Sequence, residues 1–235
     1  MINNRFNSKR TANGGFTLVE LLVVIGIIAI LAGVALGPIT TGIKKAKQSG
    51  GLQTARTLAV AEFSFANDND GNYPDSSNQS GQTGTGAAGI AQALVAGKYV
   101  SDPGIFFISG DSNGSAAPFK GKTDAAGIAS IVVANVSWDF VGLSTGKGLN
   151  SNTPDTIPVL WSTCQTGGVP DLTAAGPIYA KPASVNPFGV DGVAVAFKNN
   201  GSKFALATDL TKGAKILDDS WQAPAPLVPA VLAGQ

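Results

Sequence analysis

The longest apolar segment of the 235-residue chain runs from Phe16 to Ile39, and its one charged residue is Glu20. An α-helix rises about 1.5 Å per residue, so a helix of these 24 residues is longer than the roughly 30 Å thickness of the hydrocarbon core of a bilayer. Arg5, Lys9 and Arg10 precede the segment, with no acidic residue among the first 15. This asymmetry predicts a transmembrane helix with its N-terminus in the cytoplasm and the bulk of the chain outside.

The helical pattern continues beyond the apolar segment. We expect one long helix from Phe16 to about Asn67, transmembrane at about 16–39. Gly37-Pro38 predicts curvature, because proline removes a helical hydrogen bond, and Gly50-Gly51 predicts a soft point. An apolar stripe at helical spacing predicts the face that packs on the following domain. Its members are Leu52, Ala55, Ala59, Phe63 and Ala66, with Leu58 and Glu62 beside them.

The sequence Asp68-Asn69-Asp70-Gly71-Asn72-Tyr73-Pro74 has strong turn chemistry and is predicted to end this helix. Residues 68–235 are then predicted to form one globular head. Asn200-Gly201 predicts a hairpin turn, and Trp138, Phe140 and Trp161 are expected in the core or at its rim. We predict a short helix at Ile90–Ala96 and strands at Ile105–Ser109, Ile128–Trp138, Ile157–Trp161, Gly192–Phe197 and Lys203–Ala207. The tail, with Pro224, Pro226 and Pro229, is expected to hang loose or cross the surface.

Composition excludes several chemistries. The chain has no histidine, which removes Ser-His-Asp and Cys-His catalysis and the commonest zinc ligand. Carboxylate, lysine and tyrosine chemistry remain possible, but the sequence has no G-x-S-x-G, no Walker loop and no Cys-x-x-Cys pair. No enzyme, no cofactor and no metal site is predicted. Cys164 is the single cysteine, so no intramolecular disulfide can form and a buried thiol is expected. Asp209, Asp218 and Asp219 are interpreted as solvated carboxylates rather than calcium ligands, because their spacing matches no calcium motif.

The net charge of the chain is small. It is +1 at pH 7, and it becomes −2 if the first 15 residues, with three basic side chains, are removed. A weakly acidic body lacks the positive charge that nucleic-acid binding requires, so no nucleic-acid partner is predicted. Lys44, Lys45 and Lys47 follow the apolar segment and are placed by the predicted topology near lipid head groups or the acidic face of a neighbour.

The sequence Gly14-Gly15-Phe16-Thr17-Leu18-Val19-Glu20 resembles the class III signal of type IV prepilins and type II secretion pseudopilins. The resemblance covers about the first 40 residues. It implies a leader at 1–15 that is cleaved after Gly15, N-methylation at Phe16, and an assembly role for Glu20. In that role Glu20 would neutralise the amine of Phe16 on an adjacent subunit. An ordinary single-pass anchor is the alternative, and it would need neither Glu20 nor Gly14-Gly15.

The strand pattern and the resemblance together imply an α+β, pilin-like fold, in which a long N-terminal helical stalk packs on a small antiparallel-sheet head. The implied function is that of a structural subunit assembled into a helical filament. The protein would reside in the bacterial inner membrane with its head in the periplasm. Its partners would be copies of itself, related minor pilins, a prepilin peptidase, the inner-membrane assembly platform and the lipid bilayer.

Two filament machines fit this function. The type II secretion pseudopilus is favoured by Gly71-Asn72-Tyr73-Pro74, which resembles the turn after the long helix in many major pseudopilins. The missing disulfide also favours it, because many pilins close a C-terminal loop with one. The alternative is a type IV pilin of a surface fibre used in adhesion, motility or DNA uptake. A membrane-tethered enzyme or binding protein with a similar N-terminus is a third reading.

Overall fold

The computed structural model describes residues 15–75, 86–111, 117–143, 149–153, 155–162, 187–188, 192–206 and 229–232. The chain divides into two compact units, residues 1–43 and 44–235. Helix α1 (Leu18–Asp68) begins in the first unit and ends in the second, without interruption at Pro38 or at Gly50-Gly51. The predicted long helix is therefore confirmed.

The second unit contains an antiparallel sheet, which confirms the predicted α+β class. Its five described strands are arranged in the order β4-β3-β2-β1-β5, and every neighbouring pair is antiparallel. The strands are β1 (Trp138–Leu143), β2 (Pro158–Ser162), β3 (Gly192–Phe197), β4 (Ser202–Leu206) and β5 (Pro229–Leu232). The shorter helices are α2 (Gly86–Ala96) and α3 (Ala125–Ala129), with 3-10 turns at Pro103–Phe106 and Val133–Asn135.

Several predicted elements are confirmed. The turn after α1 is closed by a hydrogen bond from the Gly71 amide to the Ala66 carbonyl at 2.8 Å. The β3–β4 hairpin is closed by the Phe197 amide and the Gly201 carbonyl at 2.9 Å, with Asn200 in the left-handed region at φ 61°. Trp138, Phe140 and Trp161 are all buried.

Two predicted strands are wrong. Residues 105–109 do not form a strand, because Asp102 accepts a hydrogen bond from the Gly104 amide at 2.9 Å and starts a 3-10 turn. Only Trp138 of the predicted strand 128–138 is extended in the sheet. Asp124 caps α3 through the Gly127 amide at 2.8 Å, so local side-chain caps override the β-propensity of this segment.

The predicted tail is also partly wrong. Residues 229–232 form edge strand β5, which pairs with β1 from Phe140↔Leu232 to Leu143↔Pro229. Proline is tolerated as the first residue of an edge strand, because its missing N–H does not interrupt the ladder there. Pro224 and Pro226 lie outside the described residues.

The predicted packing face of α1 is confirmed except at Phe63, which is 48% exposed. Successive helical residues are about 100° apart, so Phe63 turns away from the face centred near Glu62. Phe65 is buried instead, at the opposite side of that face. The buried residues of α1 are Gly51, Ala55, Leu58, Ala59, Ala61, Glu62, Phe65 and Ala66, and its apolar members join one core cluster with the sheet.

Gly51 allows a close approach between α1 and the Phe188 ring. A Cβ at Gly51 would overlap this ring, 2.6 Å from Cζ. Phe188 is 1% exposed and packs edge-to-face against Phe204, with ring centroids 5.3 Å apart. The pair predicted as a soft point thus contains one glycine, Gly51, in close contact with the core, whereas an added Cβ at Gly50 would meet no atom within 4 Å.

We expect the two glycines to respond oppositely to alanine. Gly50→Ala should stabilise the protein by up to about 1 kcal/mol, since alanine favours a helix interior over glycine. Gly51→Ala should destabilise it, because overpacking costs about 1–3 kcal/mol and exceeds the propensity gain. Denaturant unfolding of the full chain in detergent, followed by tryptophan fluorescence, measures both. Equal stabilities for the two variants would contradict the tight contact with Phe188.

Candidate functional site at the start of α1

The predicted site residue Glu20 lies in the first turn of α1 and bonds to Thr17, directly before the helix. The Thr17 amide and the Thr17 hydroxyl each donate to Oε2 of Glu20 at 2.8 Å. In return, the Glu20 amide donates to Oγ1 of Thr17 at 3.2 Å. This reciprocal arrangement is a capping box, which satisfies N–H groups that have no partner inside the helix.

The sequence analysis missed this interaction. The signal was present, because Thr17-Leu18-Val19-Glu20 has the spacing of a capping box before an apolar run. Among the described residues, both hydrogen bonds to the Glu20 carboxylate come from Thr17. The cap uses the oxygen atoms of Glu20 but places no positive charge beside it.

Gly15 and Phe16 precede the helix. Both lie outside helical structure, and a Cβ added at Gly15 would meet no atom within 4 Å. The Phe16 side chain is 73% exposed. The described residues therefore leave Gly15 and Phe16 uncovered, and three residues, 17–19, separate Phe16 from Glu20. Gly14 lies outside the described residues.

The first half of α1 exposes an almost wholly apolar surface. Its large apolar side chains range from 46% exposed at Val24 to 79% at Leu18. The helix is long and apolar enough to cross a membrane, and the described residues bury none of its most apolar stretch. The core helix of a soluble domain passes the same length test but is mostly buried. A removable secretory signal is also a long apolar helix near the N-terminus. The position of cleavage distinguishes such a signal from a helix that stays in the mature protein.

Polar groups within this apolar helix are satisfied locally. The hydroxyls of Thr40 and Thr41 donate to the Gly37 carbonyl at 2.9 and 3.1 Å. Such bonds give each of the two hydroxyl donors an acceptor on its own helix. Lys44, Lys45 and Lys47 are exposed at the start of the second unit.

The described residues contain no group of three or more Cys, Asp or Glu side chains that could hold a metal ion. Asp209, Asp218, Asp219 and Cys164 lie outside the described residues. An open groove of about 200 Å³ lies beside α1 in the second unit. It is lined by Lys47, Gly50, Gly51, Thr54, Phe107, Ile108, Ser109, Pro187 and Phe188.

A long N-terminal apolar helix, continued by a head with a small antiparallel sheet, is a pilin-like α+β architecture. Residues 10–36 match the family model described as the prokaryotic N-terminal methylation motif. The chain is also similar to the type IV major pilin protein PilA of Myxococcus xanthus (strain DK1622), with 33% identity over 119 residues. No solved structure matches the chain.

The match to the Myxococcus pilin covers 46% of this chain and 53% of the relative, so the chain spans about half the length of that curated protein. The methylation motif covers Gly15, Phe16 and Glu20. The recognised prepilin resemblance is thereby confirmed, while the individual roles of these three residues remain predictions.

We expect the capping box to depend on the side-chain oxygen atoms rather than on charge. Thr17→Val and Glu20→Ala should each weaken the first turn by about 1 kcal/mol, which corresponds to roughly fivefold faster amide exchange in that turn. Glu20→Gln should exchange like the wild type, because glutamine also closes a capping box. Hydrogen exchange of the full chain in detergent micelles measures this. Fraying in Glu20→Gln equal to that in Glu20→Ala would contradict the prediction.

Proposed function

We propose that this chain is a structural subunit of a helical filament of the type IV class, made as a prepilin. The observation that carries the proposal is the methylation motif at residues 10–36 on a helix whose apolar surface is exposed. Exposed apolar area of this extent is stable only in lipid or against other apolar helices. A filament subunit has its apolar helix covered by lipid before assembly and by neighbouring helices in the filament core afterwards.

In this proposal α1 spans the bacterial inner membrane at about residues 16–39, with the leader in the cytoplasm and the head in the periplasm. A prepilin peptidase removes residues 1–15 and Phe16 becomes N-methylated. The assembly platform then transfers the subunit from the bilayer to the filament. Copies of this chain and related minor pilins are its neighbours there.

Glu20 supplies the polar contact between neighbours. Within the described chain its carboxylate meets only uncharged donors from Thr17, so its charge is not neutralised. The new amine at Phe16 of an adjacent subunit carries the opposite charge. Pairing the carboxylate with the amine in an apolar core offsets the desolvation cost that each charge would carry alone. The pairing also fixes the register of the subunits. Because this contact is heterologous, it propagates into a filament instead of closing a ring.

Of the two machines, the type IV surface pilus is favoured by the similarity to a type IV major pilin. The type II secretion pseudopilus is favoured by the Gly71-Asn72-Tyr73-Pro74 turn and by the single cysteine. Electron microscopy of sheared surface filaments, with mass spectrometry of their subunits, distinguishes them. Long surface filaments that contain this chain support the pilus. Loss of protein secretion after deletion of its gene, without such filaments, supports the pseudopilus.

The first functional prediction concerns processing. Gly15→Val should retain the leader, because the added side chain must fit the peptidase site before the scissile bond, whereas Phe16→Leu should still be cleaved. N-terminal sequencing of the mature wild-type protein should begin at a methylated Phe16. A mature chain that begins beyond Ala32 would indicate a conventional secretory signal and reject the prepilin proposal.

The second functional prediction concerns Glu20. Glu20→Gln should insert and be cleaved normally but form few or no filaments, because the neighbouring Phe16 amine loses its counter-charge. Breaking a buried pair from one side costs roughly 3–5 kcal/mol at each contact. Immunoblots of membranes measure the amount of processed subunit, and immunoblots of sheared filaments measure the amount of assembled subunit.

Thr17→Val is the matched control for this experiment, since it removes the capping hydroxyl and keeps the charge. It should still assemble. Wild-type filament levels in Glu20→Gln would reject the pairing, and loss of cleavage would place Glu20 in peptidase recognition instead.

A further inference from the structure

The chain contains only two glutamates, Glu20 and Glu62, and both lie on α1. Glu62 is 2% exposed. It occupies the middle of the buried face, flanked along the helix by Leu58, Ala59, Phe65 and Ala66. A carboxyl group therefore lies where α1 meets the head core, a position that an apolar residue would fill at no electrostatic cost.

One oxygen of the Glu62 carboxyl group is buried without a partner. Among the described residues, no atom forms a hydrogen bond with its Oε1. Asp139, equally buried at 2%, differs because it accepts a hydrogen bond from the Trp161 indole at 3.2 Å. Burial alone raises the pKa of Glu62 well above its usual 4.5, since desolvation disfavours the charged form.

Among the described residues, no cation is found to lower the pKa of Glu62, because burial is the only cause of its shift. Burial, followed by the charges of Glu62 and Asp155, raises the pKa of Tyr73 to about 12, so Tyr73 stays neutral at physiological pH. Asp155 itself forms an ion pair with Lys198, with 3.3 Å between Oδ1 and Nζ. Asp75 and Asp139 are the other buried carboxyl groups among the described residues. Each of them takes part in interactions of its own.

Two other buried polar atoms of the same core have no hydrogen-bond partner among the described residues. They are the Tyr73 hydroxyl, in the segment after α1, and the Trp138 indole N–H, in β1. A neutral carboxylic acid can both donate and accept a hydrogen bond, whereas a carboxylate can only accept. The protonated acid thus suits this core, and the ionised form would bury an uncompensated charge.

We propose that Glu62 is a proton-controlled latch between α1 and the head: its neutral acid holds the 55–66 face of α1 in the core, and loss of the proton loosens that face. The head is exposed to the pH outside the cytoplasm if the predicted topology holds, so its packing responds to alkaline conditions. The latch concerns the folded head and does not depend on which filament machine uses it.

The direction of the pH dependence follows from linkage. Because the pKa of Glu62 is higher in the folded chain than in the unfolded chain, the neutral acid stabilises the fold fully below about pH 4.5. This contribution is lost as the pH rises through the folded pKa. The melting temperature should therefore fall more steeply over that window in the wild type than in variants that cannot ionise at position 62.

Direct titration tests the protonation of Glu62 in the full chain. Glutamate labelled with ¹³C at the carboxyl carbon gives only two signals, and Glu20→Gln identifies which one belongs to Glu62. The Glu62 signal should titrate well above pH 4.5. A midpoint at or below that value would overturn the proposal without any variant at position 62.

Amide exchange of residues 55–66 tests the loosening. At each pH, the exchange rate in the wild type is divided by the exchange rate in Glu62→Gln. This ratio cancels the intrinsic pH dependence of exchange and should rise severalfold through the titration of Glu62. Glu62→Met, which is apolar and similar in size, should melt highest at alkaline pH. The control Asp70→Asn changes an exposed carboxyl near the same helix and should retain the wild-type pH profile. A constant ratio, or equal melting profiles for the wild type and both Glu62 variants, would refute the latch.

Discussion

The placement of two carboxyl groups along α1 is the constraint on which the proposals for this chain depend. Glu20 lies in the first turn, where helix N–H groups lack partners and the helix dipole favours negative charge, and Thr17 donates to it twice. Glu62 lies in the helix interior, where every backbone N–H already has an acceptor. One helix therefore provides a place that accommodates a carboxylate and another that accommodates only the neutral acid.

The head is built on the second half of this helix through small side chains. Ala55 and Ala59 are buried at 0% and 2% exposure, and Gly51 lets the Phe188 ring lie directly on the backbone. Small residues on one face permit close packing and leave little room for adjustment. A change of charge at Glu62, in the middle of that face, cannot be absorbed by a local shift and must be felt by the surrounding core.

The parts of the fold that could be predicted from the sequence are those with a strong local signal. Helix α1 has a long apolar segment, β2 and β3 are short apolar runs, and the β3–β4 hairpin has the Asn200-Gly201 turn. The 3-10 turn at Pro103–Phe106 was missed because Asp102 and Pro103 outweigh a four-residue apolar run. Phe63 was misplaced because hydrophobicity alone does not fix the angle around the helix, and the capping box at Thr17 was overlooked beside the more conspicuous glutamate.

The capping box also sharpens the argument about why position 20 carries a charge. Glutamine would close the same box, so the cap accounts for the side-chain oxygen but not for the negative charge. A charge in an apolar segment is retained only when it has a use that repays its cost. The apolar surface around it, 46% to 79% exposed at its large side chains, requires a cover as well. A second copy of the same helix that brings its amine to Glu20 meets both requirements through one contact, which lipid alone does not.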